Sequence, residues 1–263
     1  MYSDLSAAER GKYVCALRAA QMVKSGMKVG LGTGSTAYWL VKHLGQMVRE
    51  EGLQIQGVPT STRTKDLAIS EGIEIITLDE AGWLDLTIDG ADEFDAEFTL
   101  IKGGGGAHLQ EKVVAMASDK MVVIADASKR VDSLGAFPLP VEILKFGANA
   151  TQKLVGQVLT DLGYHDIDMS IRAVDGTPFE TDEGNVVLDL KMGTITDPSA
   201  LSTALNQLPG VVENGLFINI CQAVIVGNAD GSVTTEWKNG LDTEVAQLMP
   251  AEDTNLFANL GDE

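Results

Sequence analysis

A carboxylate-rich motif, Asp89-Gly-Ala-Asp92-Glu93, directly follows an apolar run at residues 84–88. Carboxylates beside a glycine at the end of a strand are placed for acid–base chemistry or for binding a metal ion. The metal alternative is the weaker of the two, because the spacing is not that of a calcium-binding loop and the chain has only 3 histidines. A solvated acidic turn is a further alternative that this motif alone leaves open.

The segment Gly30-Leu-Gly32-Thr-Gly34-Ser-Thr36-Ala combines alternating glycines with hydroxyl side chains, between a predicted strand and a predicted helix. Glycine lets a backbone turn sharply beside a ligand, and the N–H groups at a helix N-terminus bind phosphate. The loose dinucleotide-binding fingerprint also fits, but it needs an acidic residue about 20 positions further on. The next strand instead ends in Val58-Pro-Thr-Ser-Thr62, so we predict a phosphate monoester at this loop. A plain tight turn is the alternative.

Lys102 precedes four consecutive glycines, Gly103 to Gly106, which lead into a predicted helix. Each glycine costs conformational entropy, so four in succession indicate that the backbone must come close to another group. The segment is not a P-loop, because its lysine precedes the glycines. Glu111 lies in the first turns of the following helix, where an ordinary surface glutamate is the alternative to a site residue.

Two basic residues, Lys129 and Arg130, follow the apolar run at 121–124 and form a local positive patch in an acidic chain. Such a patch fits an anionic ligand. Surface ion pairs with Asp126 or Asp132 are the alternative, and pairs of that kind are common and weak.

The elements around these motifs alternate between short apolar strands and amphipathic helices, which is the pattern of a parallel sheet covered by helices. We predict strands at 27–30, 53–58, 73–77, 84–88, 99–101 and 121–124. Helices are predicted at 36–51 and 108–118, where apolar residues recur at helical spacing. Functional groups in such folds gather at the carboxyl ends of the strands, so we expect the motifs to meet at one edge of the sheet.

The pattern changes after Phe137-Pro-Leu-Pro140. The predicted elements that follow are a helix at 149–162, strands at 167–173 and 186–192, a helix at 198–208, a strand at 211–218 and a final hairpin at 223–237. The order helix–strand–strand–helix–strand fits a small ferredoxin-like module, and the hairpin is expected to rejoin the large sheet.

We therefore predict an α/β fold: a parallel, Rossmann-like sheet flanked by helices, with a smaller α+β (ferredoxin-like) domain inserted toward the C-terminus. Residues 1–143 and about 219–240 form the α/β domain that carries the motifs, and residues 144–218 form the small domain. The segment 241–263 contains six acidic residues and no Lys or Arg, and we predict a weakly ordered tail there.

Composition limits the class of protein and its partners. The chain has 263 residues, 44% of them hydrophobic, so it can bury a substantial core. Its 19 Lys and Arg against 38 Asp and Glu give a net charge of −19, which argues against nucleic acid or an anionic membrane as the main partner. Two scattered cysteines, no signal-peptide pattern and no apolar run of membrane-spanning length predict a cytoplasmic protein.

The motifs would bring carboxylates, lysines and a phosphate-binding loop to one cleft. Such a set suits proton transfer at a carbon next to a carbonyl on a phosphorylated substrate. Moving a carbonyl between adjacent carbons needs a base, acid–base groups for the two oxygens, and donors that hold the enediolate. No metal and no organic cofactor is required for this chemistry.

Five motifs, in this order, resemble those of the type A ribose-5-phosphate isomerases: Gly32-Thr-Gly-Ser-Thr36-Ala, Asp89-Gly-Ala-Asp-Glu93, Lys102-Gly-Gly-Gly-Gly106, Glu111-Lys112 and Ala125-Asp-Ala-Ser-Lys129. The stretch from Val131 to Glu142 is similar too, and the resemblance covers about residues 5–237. It implies an aldose–ketose isomerase that interconverts D-ribose 5-phosphate and D-ribulose 5-phosphate through a cis-enediol(ate), in the non-oxidative pentose phosphate pathway. It also implies that the protein forms a homodimer and that its small-molecule ligand is a sugar phosphate.

The resemblance assigns roles to individual residues. It makes Glu111 the base that moves the proton between C1 and C2, and Asp89 the carboxylate that helps to open the furanose ring and exchange hydroxyl protons. It makes Lys102 the charged donor beside them. The implied substrate-binding residues are Lys12, Thr33, Gly34, Ser35, Thr36, Asp89, Gly90, Ala91, Asp92, Lys102, Gly103, Gly104, Gly105 and Lys129. No role is assigned to Gly106 or His108.

Two other functions remain as alternatives. One is another sugar-phosphate enzyme of the same fold, such as an amino-sugar-phosphate deaminase. The other is a non-catalytic phosphosugar sensor of the kind fused to DNA-binding domains, although about 26 residues before the first strand are too few for a helix-turn-helix module. The presence of Glu111, Asp89 and Lys102 together favours turnover over sensing.

Overall fold

The computed structural model describes residues 2–238, 240 and 243–248. The helices, apart from single 3-10 turns, are α1 (Ala7–Ala20), α2 (Ser35–Gln46, continued by a π-helical turn at Met47–Glu51), α3 (Thr62–Ser70), α4 (Leu78–Ala81), α5 (His108–Met116), α6 (Ala148–Asp161) and α7 (Pro198–Asn206). The strands up to residue 126 are β1 (Lys28–Leu31), β2 (Gln56–Pro59), β3 (Glu74–Ile75), β4 (Leu86–Asp89), β5 (Glu93–Phe94), β6 (Leu100–Ile101) and β7 (Met121–Asp126). The later strands are β8 (Leu139–Ile143), β9 (Asp168–Ile171), β10 (Ala173–Val174), β11 (Thr177–Pro178), β12 (Val186–Lys191), β13 (Val211–Asn214), β14 (Leu216–Phe217), β15 (Cys221–Gly227), β16 (Ser232–Trp237) and β17 (Glu244–Gln247).

The main sheet is parallel over six strands, in the order β15-β7-β4-β1-β2-β3, and β16 and β17 extend it antiparallel beyond β15. Strands β4 and β7 are buried along their whole length, as expected for strands covered on both faces. The chain places β2 and β3 on one side of β1, and β4 and β7 on the other. Ligands bind such sheets at the carboxyl ends of the strands where this reversal occurs.

Helix α1 packs against β7 and β15 and closes one face of the main sheet. The approach is close at Gly11 on α1 and Gly227 at the end of β15. A Cβ atom on Gly11 would lie 2.8 Å from the Gly227 carbonyl oxygen, and a Cβ on Gly227 would lie 2.0 Å from the Gly11 oxygen. This contact holds Lys12, the next residue of α1, near the carboxyl edge of the sheet.

The second sheet is smaller and antiparallel throughout, in the order β13-β8-β12-β9. Helices α6 and α7 pack on it through a core that includes Val155, Leu159, Leu201 and Leu205. Strand β14 directly follows β13, the last strand of the small sheet. It pairs with β6, which ends immediately before Lys102.

The structure confirms the predicted α/β class, with its parallel sheet and smaller ferredoxin-like unit. The predictions omitted α1, α3 and β8. Strand β8 pairs with β12 and β13, although the predicted boundary after residue 143 assigned it to the first domain. The division of the chain into domains at these boundaries stays a prediction.

The segment predicted to be a weakly ordered tail differs in part from that expectation. Glu244–Gln247 form β17, which pairs antiparallel with β16, because the free edge of the β15–β16 hairpin offers backbone groups to a further strand. The rest of 241–263, apart from residues 243 and 248, lies outside the described residues. Within the described part of the chain, no helix is long and apolar enough to cross a membrane.

Candidate active site

A cleft of about 130 Å³ opens at the carboxyl ends of β1, β4 and β6. It is lined by Lys12, Thr33, Gly34, Ser35, Thr36, Gly90, Ala91, Asp92, Lys102, Gly103, Gly104, Gly105, Glu111 and Lys129. These are the residues that the sequence predicted for the site, with one exception. That exception, Asp89, is fully buried and contacts the lining through its carboxylate.

Asp89, Lys102 and Glu111 form a buried ionic cluster at the base of this cleft. Lys102 Nζ lies 3.0 Å from Asp89 Oδ2 and 3.2 Å from Glu111 Oε2. It donates its well-directed hydrogen bond, of 2.6 Å, to the carbonyl oxygen of Gly90. Neither Asp89 Oδ2 nor Glu111 Oε2 receives a well-directed hydrogen bond from the described residues. Both oxygens are therefore held by charge and remain open to a further polar partner.

Burial sets the protonation of this cluster. The pKa of Glu111 is raised to about 8 by burial and by the charge of Asp89, against the opposing effect of Lys102. Burial also raises the pKa of Asp89, although Lys102 and two backbone N–H groups oppose the shift. Burial alone would lower the pKa of Lys102, but the two carboxylates outweigh it and the pKa is raised. Lys102 stays cationic, and the carboxyl pair can hold a proton near neutral pH.

Residues 32–36, here called the hydroxyl loop, connect β1 to α2. Gly34 has a φ of +116° at the N-cap of α2, a conformation that favours glycine. The first N–H groups of α2 have no acceptor within the helix, so they are available to an anion beside Ser35 and Thr36. Thr33 turns its hydroxyl away from the cleft, to a buried cluster formed by Thr60, Ser61 and Thr64. The Thr33 hydroxyl is therefore engaged in hydrogen bonds within the described part of the protein, unlike the other hydroxyls predicted for this loop.

Two lysines flank the hydroxyl loop. Lys12 is paired with Glu9 at 2.7 Å, and Glu9 also accepts from the indole N–H of Trp39. Within the described residues, no carboxylate lies within ion-pair distance of Lys129. Its neighbour Arg130 pairs with Glu236 on the surface, so the positive patch predicted at 129–130 splits between the cleft and an ordinary ion pair.

Residues 103–106, here called the glycine loop, form the opposite wall. Gly103 has a φ of +109°, and the Gly106 N–H donates to the Gly103 carbonyl. Asp92 Oδ2 accepts from the Gly104 N–H at 2.7 Å. From the small sheet, Arg172 donates to the carbonyls of Gly103 and Gly104. Arg172 is absent from the predicted site residues, because it lies 69 positions from Gly103 and carries no local motif.

The acidic motif divides into separate roles. Asp89 belongs to the ionic cluster and Asp92 holds the glycine loop. Glu93 is buried, and its oxygens accept the N–H groups of Gly135 and Phe137. Burial of Asp89 and Glu93 excludes a solvated acidic turn, and the burial of Glu111 excludes an ordinary surface glutamate. No group of three or more His, Cys, Asp or Glu residues in the described part of the chain is arranged to hold a metal ion.

Comparison with known proteins gives the same identification at three levels. Residues 56–231 match the family model described as ribose 5-phosphate isomerase A (phosphoriboisomerase A). A ribose-5-phosphate isomerase A from Ruegeria sp. (strain TM1040) is 56% identical over 262 residues, 100% of both chains.

Two solved structures share the fold. The ribose 5-phosphate isomerase A of Methanocaldococcus jannaschii is 41% identical, with a TM-score of 0.77 over 86% of this chain and 97% of that one. A D-ribose-5-phosphate isomerase in complex with phospho-erythronic acid is 35% identical, with a TM-score of 0.81 over 88% of this chain and 100% of that one. The matches to full-length relatives span every residue that lines the cleft, and this chain belongs to the ribose 5-phosphate isomerase A family.

Proposed function

We infer that this chain interconverts D-ribose 5-phosphate and D-ribulose 5-phosphate. The observation that carries the proposal is the contact of one buried lysine, Lys102, with two carboxylates of raised pKa, in a cleft that also contains an anion-binding helix N-terminus. Membership of the isomerase family supports the same reaction. A solved relative binds phospho-erythronic acid, and we propose that this cleft likewise takes a short polyhydroxy chain with a terminal phosphate.

The substrate's phosphate is placed at the hydroxyl loop. The N-terminus of α2, Ser35 and Thr36 donate hydrogen bonds there, and Lys12 and Lys129 supply positive charge. C1 and C2, at the other end of the sugar, then lie toward Glu111 and Lys102. A net charge of −19 does not prevent this, because the local field in the cleft is set by these groups.

Asp89 acts on the oxygens of the substrate. Its raised pKa favours a protonated carboxyl, which donates a proton to the ring oxygen as the furanose opens. The carboxylate that this leaves takes the proton of the O1 hydroxyl, so that C1 becomes a carbonyl and Asp89 is protonated again. In the open chain, the same carboxyl group carries the proton that leaves O2 and arrives at O1. Its Oδ1 accepts the N–H groups of Thr33 and Gly90, which fixes the orientation of the carboxyl for both steps.

Glu111 acts on the carbons. As a carboxylate it removes the proton from C2 of the aldose, and the electron pair forms the C1–C2 double bond while the carbonyl π electrons move to O1. The resulting cis-enediolate takes the proton back from Glu111 at C1, and a carbonyl forms at C2. Lys102 Nζ stabilises the charge on the enediolate oxygens, which is the step where a fixed cation contributes most.

The test is a ribose 5-phosphate to ribulose 5-phosphate assay on the wild type and Glu111→Gln. The variant should lose about 10²- to 10⁴-fold in kcat and keep its affinity for inorganic phosphate, because only the base is removed. Glu97→Gln, at an exposed glutamate, is the matched control and should retain full activity. Near-normal turnover by Glu111→Gln would overturn the assignment of the base.

Two arms of the same experiment address the alternatives. Turnover of glucosamine 6-phosphate with release of ammonia would favour a deaminase. Binding of ribose 5-phosphate without turnover would favour a sensor. Activity that survives exhaustive chelation is expected, since the proposed steps use only side chains of this chain.

We propose further that the protein is a cytoplasmic homodimer in the non-oxidative pentose phosphate pathway. Exposed apolar side chains cluster beside α5, where Trp83 is 55%, Val113 is 49% and Met116 is 59% exposed. Trp83 reaches the end of α5 by its bond to Asp119. An apolar surface of this kind fits burial against a second copy. Light scattering should give twice the chain mass of 27.9 kDa, and Val113→Glu should shift the protein toward the monomer.

A further inference from the structure

Arg172, which directly follows β9 of the small sheet, reaches across to the wall of the cleft. Its Nη1 donates to the carbonyl oxygen of Gly103 at 2.8 Å and to that of Gly104 at 3.1 Å. Both glycines line the cleft. Arg172 itself does not line it, so any effect on the reaction has to pass through the glycine loop.

The guanidinium is fixed by a second contact. Asp189 on β12 receives two hydrogen bonds from it, from Nε at 2.9 Å and from Nη2 at 2.6 Å. The side chains of the two residues are only 15% and 19% exposed. A bidentate pair of this geometry is stronger and more directional than a single surface ion pair, so Asp189 holds Nη1 in place against the loop carbonyls.

The direction of the loop carbonyls determines the direction of its N–H groups. The described peptide bonds are trans, so the C=O of each residue and the N–H of the next point to opposite sides. With the Gly104 carbonyl on Arg172, the Gly105 N–H points away from Arg172. The Gly104 N–H is donated to Asp92, whereas the Gly105 N–H has no acceptor among the described residues, and Gly105 lines the cleft.

We propose that Arg172 is a positioning residue, which holds the peptide between Gly104 and Gly105 so that the Gly105 N–H faces the substrate. This rests on the proposed isomerase function. The N–H donates to an enediolate oxygen, beside Lys102. Glycine peptides rotate with little steric restraint. Without Arg172 the same peptide can turn its carbonyl oxygen toward the cleft, where it repels the negative charge of the enediolate.

The experiment compares Arg172→Gln and Arg172→Lys with the wild type, using ribose 5-phosphate. Arg172→Gln should lower kcat by about tenfold to a hundredfold, because misplacing one donor costs up to that much, and should change KM by less than about threefold. Arg172→Lys keeps the positive charge but loses the paired N–H donors of the guanidinium. Its kcat should lie between that of the wild type and that of Arg172→Gln. The matched control is Lys191→Met, which removes the exposed Lys191–Asp168 pair between the same two strands and should leave kcat unchanged.

A binding measurement adds a readout that general destabilisation would not produce. By calorimetry, the affinity of Arg172→Gln for phospho-erythronic acid should fall, since its carboxylate presents charge near the loop, while its affinity for inorganic phosphate should not change. Where Arg172→Gln does not fold, Asp189→Asn serves instead, with a smaller fall in kcat in the same direction. An unchanged kcat, a rise in KM alone, or an equal loss of affinity for both ligands would overturn the proposal. A wild type that does not turn over ribose 5-phosphate would instead overturn the proposed function.

Discussion

The hydroxyl loop and the glycine loop both follow a strand of the first half of the chain, but they are held in different ways. The hydroxyl loop is braced from within the main sheet, by the buried hydroxyls of Thr60, Ser61 and Thr64 and by Asp89. The glycine loop is braced from the small sheet, by Arg172. In the proposed function, the first arrangement fixes where the phosphate would bind. The second would make the geometry at the reacting carbons depend on how the small sheet is held against the cleft.

The two loops also differ in the atoms that surround their glycines, which include backbone atoms in one case and belong to a side chain in the other. A Cβ on Gly32 would lie 2.0 Å from Asp89 Oδ1 and 2.6 Å from the Asp89 Cα, which belongs to the sheet backbone. A Cβ on Gly106 would lie 2.2 Å from the ring of Phe179, which is the end of a side chain. A side chain at Gly32 is therefore excluded by sheet backbone, whereas one at Gly106 would meet a side chain that can move.

Gly32→Ala should have the largest effect. The clash with the Asp89 backbone displaces the carboxylate and the hydroxyl loop together, so we expect a loss of at least about 100-fold in kcat/KM and about 1–3 kcal/mol in the free energy of unfolding. Steady-state kinetics and urea unfolding measure the two effects. Gly156→Ala, in the middle of α6, is the control and should be neutral or stabilising. A Gly32→Ala variant with normal kinetics would show that Asp89 and the hydroxyl loop are not displaced by a side chain at this position.

The pH dependence of the rate should report the ionic cluster beside the glycine loop. Glu111 must be ionised to accept a proton, and its pKa is raised to about 8, so kcat/KM should rise as the pH increases toward about 8. Between pH 6 and 8 the increase should reach about 50-fold. The residual activity of Glu111→Gln should not show this rise. A wild-type rate that is flat over this range would contradict the assignment of the base.

Gly106→Ala should have a moderate effect. Gly106 has a φ of +76°, which costs an alanine about 1–2 kcal/mol, and Phe179 has to move aside. We expect a fall of a few-fold in kcat, with an unchanged affinity for inorganic phosphate. Combining it with Phe179→Ala should recover part of the kcat, because the substitution removes the clash. If kcat does not recover in the double variant, the loss in Gly106→Ala comes from the backbone conformation of the loop and not from the contact with Phe179.

A further expected effect is on stability in acid. His108 is buried under the glycine loop, where burial lowers its pKa to about 4. The unfolded chain binds a proton at this residue from about pH 6.5 downward while the folded chain does not, so stability should decrease as the pH falls from about 6.5 to about 4. His108→Gln should reduce that slope in urea titrations. His165→Gln, at an exposed histidine, should leave the slope unchanged.

The sequence was sufficient for the parts of the site that are local. The strands before Gly32, Asp89 and Lys102 are short apolar runs, and glycines or ionisable groups at their ends are visible as motifs. Because parallel strands end at one edge, these motifs could be expected to converge. All the predicted site residues except Asp89 line one cleft, and the roles proposed for them stay predictions.

The parts that the sequence did not predict depend on distant contacts. Helix α1 is rich in alanine and has buried residues over much of its surface, so its amphipathic pattern is weak. Strand β17 is mostly exposed and lacks a regular apolar alternation. The sequence around Arg172 does not distinguish it from an ordinary surface arginine. Only the packing of the small sheet brings it into contact with the glycine loop. In each case the information lies in tertiary packing, which one-dimensional patterns do not contain.

The contact of Gly11 with Gly227 has a consequence for folding during synthesis. Lys12 leaves the ribosome about 200 residues before β15, a strand against which its helix packs. A nascent chain that lacks β15 leaves the part of α1 around Gly11 uncovered, with Lys12 not yet held in place. The cleft is therefore completed only after β15 has been made, and a chain cut before residue 221 should be inactive rather than partly active.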